Sequence, residues 1–142
     1  MSNSSNEQSV ESLFGDVISA YTRAQAIEDG VLIDVSATGQ QAGFCWPVAL
    51  TSAAWENCVA WTEEDTQKQI CQDVPGRRWD VLYMAANAIN NSKNRSDQLL
   101  YRFYRIPRDG WSKAAQLVTL KLIVGPGDQG EPVVTIMLPD ED

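Results

Sequence analysis

A chain of 142 residues with a hydrophobic fraction of 44% is long enough to bury one core and too apolar for an intrinsically disordered protein. It contains no histidine, which removes the commonest general base and the commonest zinc ligand and disfavours hydrolase chemistry. Its net charge of −8 repels nucleic acid at long range. We therefore predict no catalytic residue, no metal site and no cofactor.

The first 21 residues predict a tail followed by a helix. Residues 1–9 lack the basic start and apolar middle of a secretory signal, and we predict a disordered tail. From Val10 to Tyr21, apolar residues recur at three- and four-residue intervals, which is the stripe of an amphipathic helix. No polar linker divides residues 10–142, so this range is predicted to be a single domain.

Short elements are predicted next. Thr22 begins a capping-box pattern that opens a short helix, and Gly30 is placed to end it. Residues 31–35 are rich in β-branched side chains and predict a strand. Ser36 is a candidate cap for another short helix, which would end near Gly43.

The middle of the chain predicts an extended segment and two helices. Residues 44–50 are expected to be extended, and Pro47 favours an edge strand or an irregular stretch. Thr51 is a good N-cap for the following helix. A longer helix is predicted over residues 75–90, with a buried stripe formed by Trp79, Leu82, Tyr83, Ala86 and Ile89.

Three strands are predicted in the last third of the chain. They cover residues 99–106, 117–124 and 133–138. Because helices come first and strands last, the order predicts an α+β fold. We expect N-terminal helices with one or two short strands, then a three-stranded antiparallel meander covered on one face by helices.

Charge is distributed unevenly along the chain. Eleven acidic and two basic side chains lie in residues 1–76, three acidic and nine basic in 77–121, and five acidic and no basic in 122–142. Within the first block, Glu63, Glu64 and Asp65 form the densest acidic run. Its spacing is not that of a calcium-binding loop. We consider it a candidate protein-binding cluster, with a solvated acidic turn as the alternative.

The predicted strand at residues 99–106 mixes arginine with aromatic side chains. Alternation places Arg102 and Tyr104 on one face and Arg105 on the other. Aromatic rings beside guanidinium groups are typical of surfaces that bind single-stranded nucleic acid, and Arg108 could extend such a surface. In the alternative interpretation, the aromatic rings pack against helices while the arginines face solvent or pair with acids.

Two of the five tryptophans are expected to be exposed. Trp46 precedes a proline and Trp111 follows an Asp-Gly turn, and exposed tryptophan is typical of binding hot spots. The three cysteines, an odd number at wide spacing, predict buried free thiols and a reducing, cytoplasmic location.

One segment of the sequence resembles a known family. Residues 13–36, LFGDVISAYTRAQAIEDGVLIDVS, together with residues 47–51 and Trp55, resemble a family of bacterial proteins found on plasmids, integrated elements and phages. That family carries no established activity. The resemblance implies a mobile-element setting and transfers no catalytic residue.

These observations predict a non-catalytic accessory protein of a mobile genetic element that binds a protein partner. One form would be an acidic inhibitor of a host nucleic-acid-handling or defence protein. The alternative is a nucleic-acid or nucleotide binder that uses the arginine-aromatic strand. A third class is a transferase in which Tyr21 and Arg23 position a phosphorylated cofactor. We expect no membrane association, and a monomer or homodimer.

Overall fold

The computed structural model describes residues 21–93 and 96–142. The tail predicted for residues 1–9 and nearly all of the helix predicted over residues 10–21 lie outside these ranges. The described helices are α1 (Arg23–Glu28), α2 (Ser36–Ala42), α3 (Ser52–Cys58), α4 (Glu63–Lys68) and α5 (Val74–Asn91). The strands are β1 (Leu32–Asp34), β2 (Val48–Thr51), β3 (Gln98–Arg105), β4 (Gln116–Pro126) and β5 (Pro132–Met137).

All five strands belong to one mixed sheet, with the order β1-β2-β5-β4-β3. The antiparallel pairs β3–β4 and β4–β5 are present as predicted. However, β5 also pairs in parallel with β2, and β2 pairs with β1 in antiparallel fashion. The fold is α+β as predicted, but the sheet is five-stranded and mixed and not only a three-stranded antiparallel meander, because the short N-terminal strands extend it.

Pro47 does not place its segment at an edge. Strand β2 lies inside the sheet between β1 and β5, and it begins at Val48, one residue after the proline. The carbonyl of Pro47 accepts a hydrogen bond from the backbone N–H of Val134 at 2.9 Å. The missing N–H of proline therefore falls just before the ladder, and its carbonyl still joins the sheet.

Threonine caps begin three of the helices. The hydroxyl of Thr22 accepts from the N–H of Gln25 at 3.0 Å, and that of Thr51 accepts from Ala54 at 3.1 Å. Thr62 opens α4 with a complete capping box. Ser36, predicted as a cap, is instead the first residue of α2, and its hydroxyl donates to Asp34 at 2.7 Å.

The core lies between one face of the sheet and helices α3 and α5. Alternate residues of β3, β4, β5 and β2 point into it, since successive side chains of a strand face opposite sides. We call this side of the sheet the covered face. Its fully or nearly fully buried members are Leu50, Tyr101, Phe103, Leu120, Leu122, Val134 and Ile136, which pack with Cys58, Val81, Leu82 and Ala85.

The buried stripe predicted for α5 is partly wrong. Leu82 and Ala86 are buried as expected, but Trp79, Tyr83 and Ile89 are 37%, 46% and 39% exposed. Besides Leu82 and Ala86, the helix buries Arg77, Val81 and Ala85, which the predicted stripe did not include. The aromatic pair Trp79–Tyr83, stacked with ring centroids 5.5 Å apart, lies on its exposed side.

Candidate functional site

Strand β3 presents two different faces. On the covered face, Tyr101 and Phe103 are 5% and 3% exposed, and the hydroxyl of Tyr101 donates to the carbonyl of Val81 in α5 at 3.1 Å. On the opposite face, Leu100 and Tyr104 are 60% and 67% exposed. The aromatic residues on the covered face thus belong to the core, whereas the outer residues contact solvent.

The neighbouring strand continues the outer surface. Leu117 of β4 lies directly opposite Tyr104 and is 49% exposed. The exposed Arg102 lies opposite Thr119. We call Leu100, Arg102, Tyr104 and Leu117 the β3 edge face. Three exposed apolar side chains around one guanidinium group give this face the composition of a protein interface, in which aromatic residues and arginine are enriched.

Within residues 21–93 and 96–142, nothing pairs with the main chain of β3 along its outer edge. The carbonyl of Asp97 accepts from the N–H of Val124 at 2.8 Å, so the odd-numbered residues of this strand bond to β4. The N–H and C=O groups of Leu100, Arg102 and Tyr104 consequently point away from β4. Among the described residues, none of these three makes a further backbone hydrogen bond. Side chains and main chain of the same residues are therefore both available to a partner.

Arg105 does not join this surface. It lies half-buried on the covered face, where its Nε and Nη2 donate to the side-chain oxygen of Asn57 at 3.2 and 2.7 Å. The thiol of Cys58 lies nearby. Burial raises the pKa of Cys58, although the positive charges of Arg105 and Arg77 oppose that shift. The alternation predicted for this strand is therefore present, and it separates Arg102 from Arg105.

Arg108 and Asp65, both candidate binding residues, bind each other. The Nε of Arg108 donates to Asp65 at 2.7 Å, and its Nη1 donates to Glu56 at 3.0 Å. Desolvation raises the pKa of Asp65, but hydrogen bonds from Thr62 and Arg108 outweigh it and lower the pKa below its ordinary value. Because Asp65 also completes the capping box of α4, its carboxylate is already bound by groups within the fold.

The remaining acidic candidates stay on the surface of α4. Glu64 pairs with Lys68 one turn later at 3.1 Å, and Glu63 is exposed. The acidic run is therefore not one cluster in space, since its third member is turned toward Arg108. Arg108 also lines an open pocket of about 380 Å³, whose other walls are Glu56, Asn57, Arg105, Pro107 and Asp109.

Trp111 is 72% exposed and lies in an ordered turn between β3 and β4. The side chain of Gln69, the residue that follows α4, forms hydrogen bonds to this turn. Its side-chain amide donates to the carbonyls of Pro107 and Ser112 at 2.8 and 2.6 Å, and its oxygen accepts from Gly110 at 3.1 Å. The carboxylate of Asp109 closes the turn by accepting from the N–H groups of Trp111 and Ser112 at 3.0 and 2.8 Å.

Trp46 lies away from these residues. It is 46% exposed and lines an open pocket of about 460 Å³ with Gln40, Phe44 and Cys45, just before β2. Because β5 and β4 separate β2 from β3, Trp46 does not share the β3 edge face. Both tryptophans are exposed as predicted, but they belong to two different regions.

Arg77 is a buried cation that the sequence does not reveal as one. It is 4% exposed, and its guanidinium lies 4.6 Å from the ring centroid of Trp61. It donates to the carbonyls of Val59 and Ile106 at 3.1 and 2.9 Å, while its buried Nη2 has no hydrogen-bond partner in the part of the chain that the structure describes. Burial lowers the pKa of Arg77 to about 10. The basic block of the sequence is therefore not one surface.

The N-terminal candidates Tyr21 and Arg23 make internal contacts. The hydroxyl of Tyr21 donates to Asp29 at 3.0 Å. The guanidinium of Arg23 donates to the hydroxyl of Thr135 and to the carbonyl of Val134, both at 2.8 Å. The contacts of Arg23 attach α1 to β5, whereas that of Tyr21 joins the two ends of α1, so both side chains are used within the fold.

Within residues 21–93 and 96–142, no group of three or more His, Cys, Asp or Glu side chains is placed to hold a metal ion. No helix in these ranges is long and apolar enough to cross a membrane. Cys58 is buried as predicted, whereas Cys45 and Cys71 are exposed, so the prediction of buried thiols is wrong for these two. Both belong to loops outside the packed layers.

Comparison with known families gives one match. The model of a family of unknown function, DUF6573, matches residues 9–142. The chain belongs to this family. No curated protein and no solved structure shows significant similarity to it. Membership confirms the resemblance at the level of a family without an assigned function, while a bacterial, plasmid or phage origin stays a prediction.

Proposed function

We propose that this chain is a non-catalytic accessory protein of a mobile genetic element that acts by binding another protein through the β3 edge face. The observation that carries the proposal is the exposure of Leu100, Tyr104 and Leu117 around Arg102 on an outer strand. Burying such side chains on association removes apolar area from water and provides an aromatic anchor.

A protein partner is favoured over nucleic acid by the positions of the cations. A nucleic-acid surface needs several free positive charges along a groove. Arg77 and Arg105 lie on the covered side, and Arg108 pairs with two carboxylates. Lys121 donates to the carbonyl of Glu141. Arg102 is thus the main cation of the β3 edge face.

A more specific form of the proposal is an acidic inhibitor of a nucleic-acid-handling protein. The ion pairs among the described residues engage only the carboxylates of Glu56, Glu64 and Asp65. The unpaired acids, with a net charge of −8 for the chain, would speed encounter with a basic partner. This form predicts an association rate that falls steeply as salt is added.

The proposal is tested by affinity capture from the native host with quantitative mass spectrometry. The wild type and a Trp46→Ala control are expected to retain the same partner, and the double variant Leu100→Ser, Tyr104→Ser is expected to lose it. Circular dichroism checks that all three chains are folded. Retention of the partner by the double variant, or specific capture of nothing by the wild type, would contradict the proposal.

The nucleic-acid alternative is tested separately with a labelled single-stranded oligonucleotide at low ionic strength. We expect no shift in electrophoretic mobility, because the cations are dispersed. A salt-sensitive shift that disappears in the variant Arg102→Ala would favour the alternative instead.

A further inference from the structure

We infer that the partner, whose surface is otherwise basic, supplies one extended segment with a local acidic residue, and that this segment adds to the outer edge of β3 as a sixth strand. This inference rests on the proposed function and names the kind of partner that the β3 edge face accepts. Addition of a strand to an open sheet edge gains affinity from main-chain hydrogen bonds and specificity from alternate side chains.

The two edges of the sheet differ in how they are protected. Natural sheets protect edges with short strands, prolines, bulges or a covering element. At one edge, β1 has three residues and is attached to α1 through the loop between them. At the other, β3 has eight residues, contains no proline and pairs with β4 in unbroken register from Gln98 to Arg105. Strand β3 therefore remains a template for pairing.

The free groups of this edge are regularly spaced. The outward N–H and C=O groups belong to Leu100, Arg102 and Tyr104, every second residue of the strand. Nearby, the N–H of Gln98 turns to the hydroxyl of Ser96 at 3.2 Å, so the free edge begins after that residue. An added strand can satisfy three consecutive pairs of main-chain groups without displacing any described contact.

The charge of the occupant follows from Arg102. Its side chain makes no ion pair within the described ranges, and its cross-strand neighbour is the uncharged Thr119. Opposite charges directly across a strand pair stabilise it, and like charges destabilise it. A glutamate or aspartate of the incoming strand would therefore lie beside Arg102, with apolar residues beside Leu100 and Tyr104. A second copy of this chain paired with Arg102 at the centre would place two guanidinium groups opposite each other.

The probes are two matched libraries of immobilised nine-residue peptides. In one library, positions 3, 5 and 7 are apolar, acidic and apolar, so that these side chains share the face opposite Leu100, Arg102 and Tyr104, and the other positions are serine or threonine. The other library replaces the acid with lysine or arginine. We expect the folded chain to bind members of the acidic library and to bind their basic counterparts about tenfold less, as a change from attraction to repulsion implies. In solution, the best acidic peptide should slow hydrogen exchange at the amides of Leu100, Arg102 and Tyr104.

Two variants separate main chain from side chain. Arg102→Ala and Arg102→Pro both remove the guanidinium, but only the proline removes the outward N–H. Because that N–H points away from β4, proline is compatible with the existing ladder at an edge strand. We expect Arg102→Pro to bind the best acidic peptide about tenfold more weakly than Arg102→Ala, at similar circular dichroism.

Each other outcome contradicts the inference in a different way. Equal binding by the two variants would show that the face binds without strand addition, which leaves the proposed function intact. Preference for basic peptides would reverse the assigned charge. Dimerisation abolished by Arg102→Pro would make a second copy the occupant. Slow exchange at these amides in the free monomer would show that residues 1–20 of the chain already occupy the edge.

Discussion

The two faces of β3 share one backbone and follow different rules. Tyr101 and Phe103 are buried against α5, where shape and a hydrogen bond to Val81 hold them. Leu100 and Tyr104 alternate with them, point to the opposite face of the sheet and are 60% and 67% exposed. The comparison shows that similar residue types serve the fold on one face and remain available for binding on the other. Substitutions on the two faces should therefore separate stability from binding.

The largest expected contrast is between two aromatic truncations. Phe103→Ala should lower the free energy of unfolding by about 3–5 kcal/mol, because a cavity opens in the core. Tyr104→Ala, one residue further along, should change it by about 0.5 kcal/mol or less. Urea denaturation measures both. A comparable loss of stability in Tyr104→Ala would mean that the outer face is part of a packed layer.

The turn that continues β3 gives the next effect. Gln69→Met should lower stability by about 2 kcal/mol, because the buried carbonyls of Pro107 and Ser112 lose their donor. The amide of Gly110 should then exchange faster. Gln67→Met, at an exposed position of the same helix, is the control and should leave both quantities unchanged. Unchanged exchange at Gly110 in Gln69→Met would contradict the role assigned to Gln69.

A smaller effect distinguishes two tyrosine hydroxyls on opposite faces. Tyr101→Phe should lower stability by about 1 kcal/mol, because the buried hydroxyl donates to the carbonyl of Val81. Tyr104→Phe removes an exposed hydroxyl and should have no measurable effect. The melting temperatures of the two variants are measured by thermal unfolding. Equal values would show that the hydrogen bond from Tyr101 to Val81 does not contribute to stability.

The smallest effect concerns the charge pair beyond the end of β3. The pKa of Asp65 is lowered in the folded state, so its contribution to stability is present above the ordinary value near 3.8 and is lost as the pH falls through the lowered one. Asp65→Asn should lower stability by about 0.5 kcal/mol at pH 7, and the difference should shrink below about pH 4. Glu63→Gln is the matched control. If the stability difference between Asp65→Asn and the wild type stayed constant from pH 7 to below about pH 4, the role assigned to the ionised Asp65 would be contradicted.

Local signals in the sequence predicted the local structure well. The spacing of Thr22 and Thr51 relative to the residues they cap placed two helix starts, and the left-handed Gly30 ended α1 as expected. The alternation of β3 also predicted that Arg102 and Tyr104 share one face while Arg105 lies on the other. Such features depend on a few neighbouring residues, which is why the sequence alone reveals them.

Features that depend on distant pairing were not predictable in the same way. Pro47 suggested an edge because its missing N–H is a local property, whereas the partners of β2 come from both ends of the described chain. Trp79 and Tyr83 satisfied a helical stripe, yet the sheet packs against another side of α5. Gln69 and Arg77 are buried only because distant carbonyls accept from them, and no short pattern marks such residues.

The position of β5 has a consequence for biosynthesis. This last strand lies in the middle of the sheet, where it joins β2 to β4. During translation, the described pairs β1–β2 and β3–β4 are joined only after residues 132–137 have been synthesised, so the sheet is completed after all its other described strands are present. Deletion of residues 132–137 would therefore remove the connection between these two pairs, while the local helices could still form.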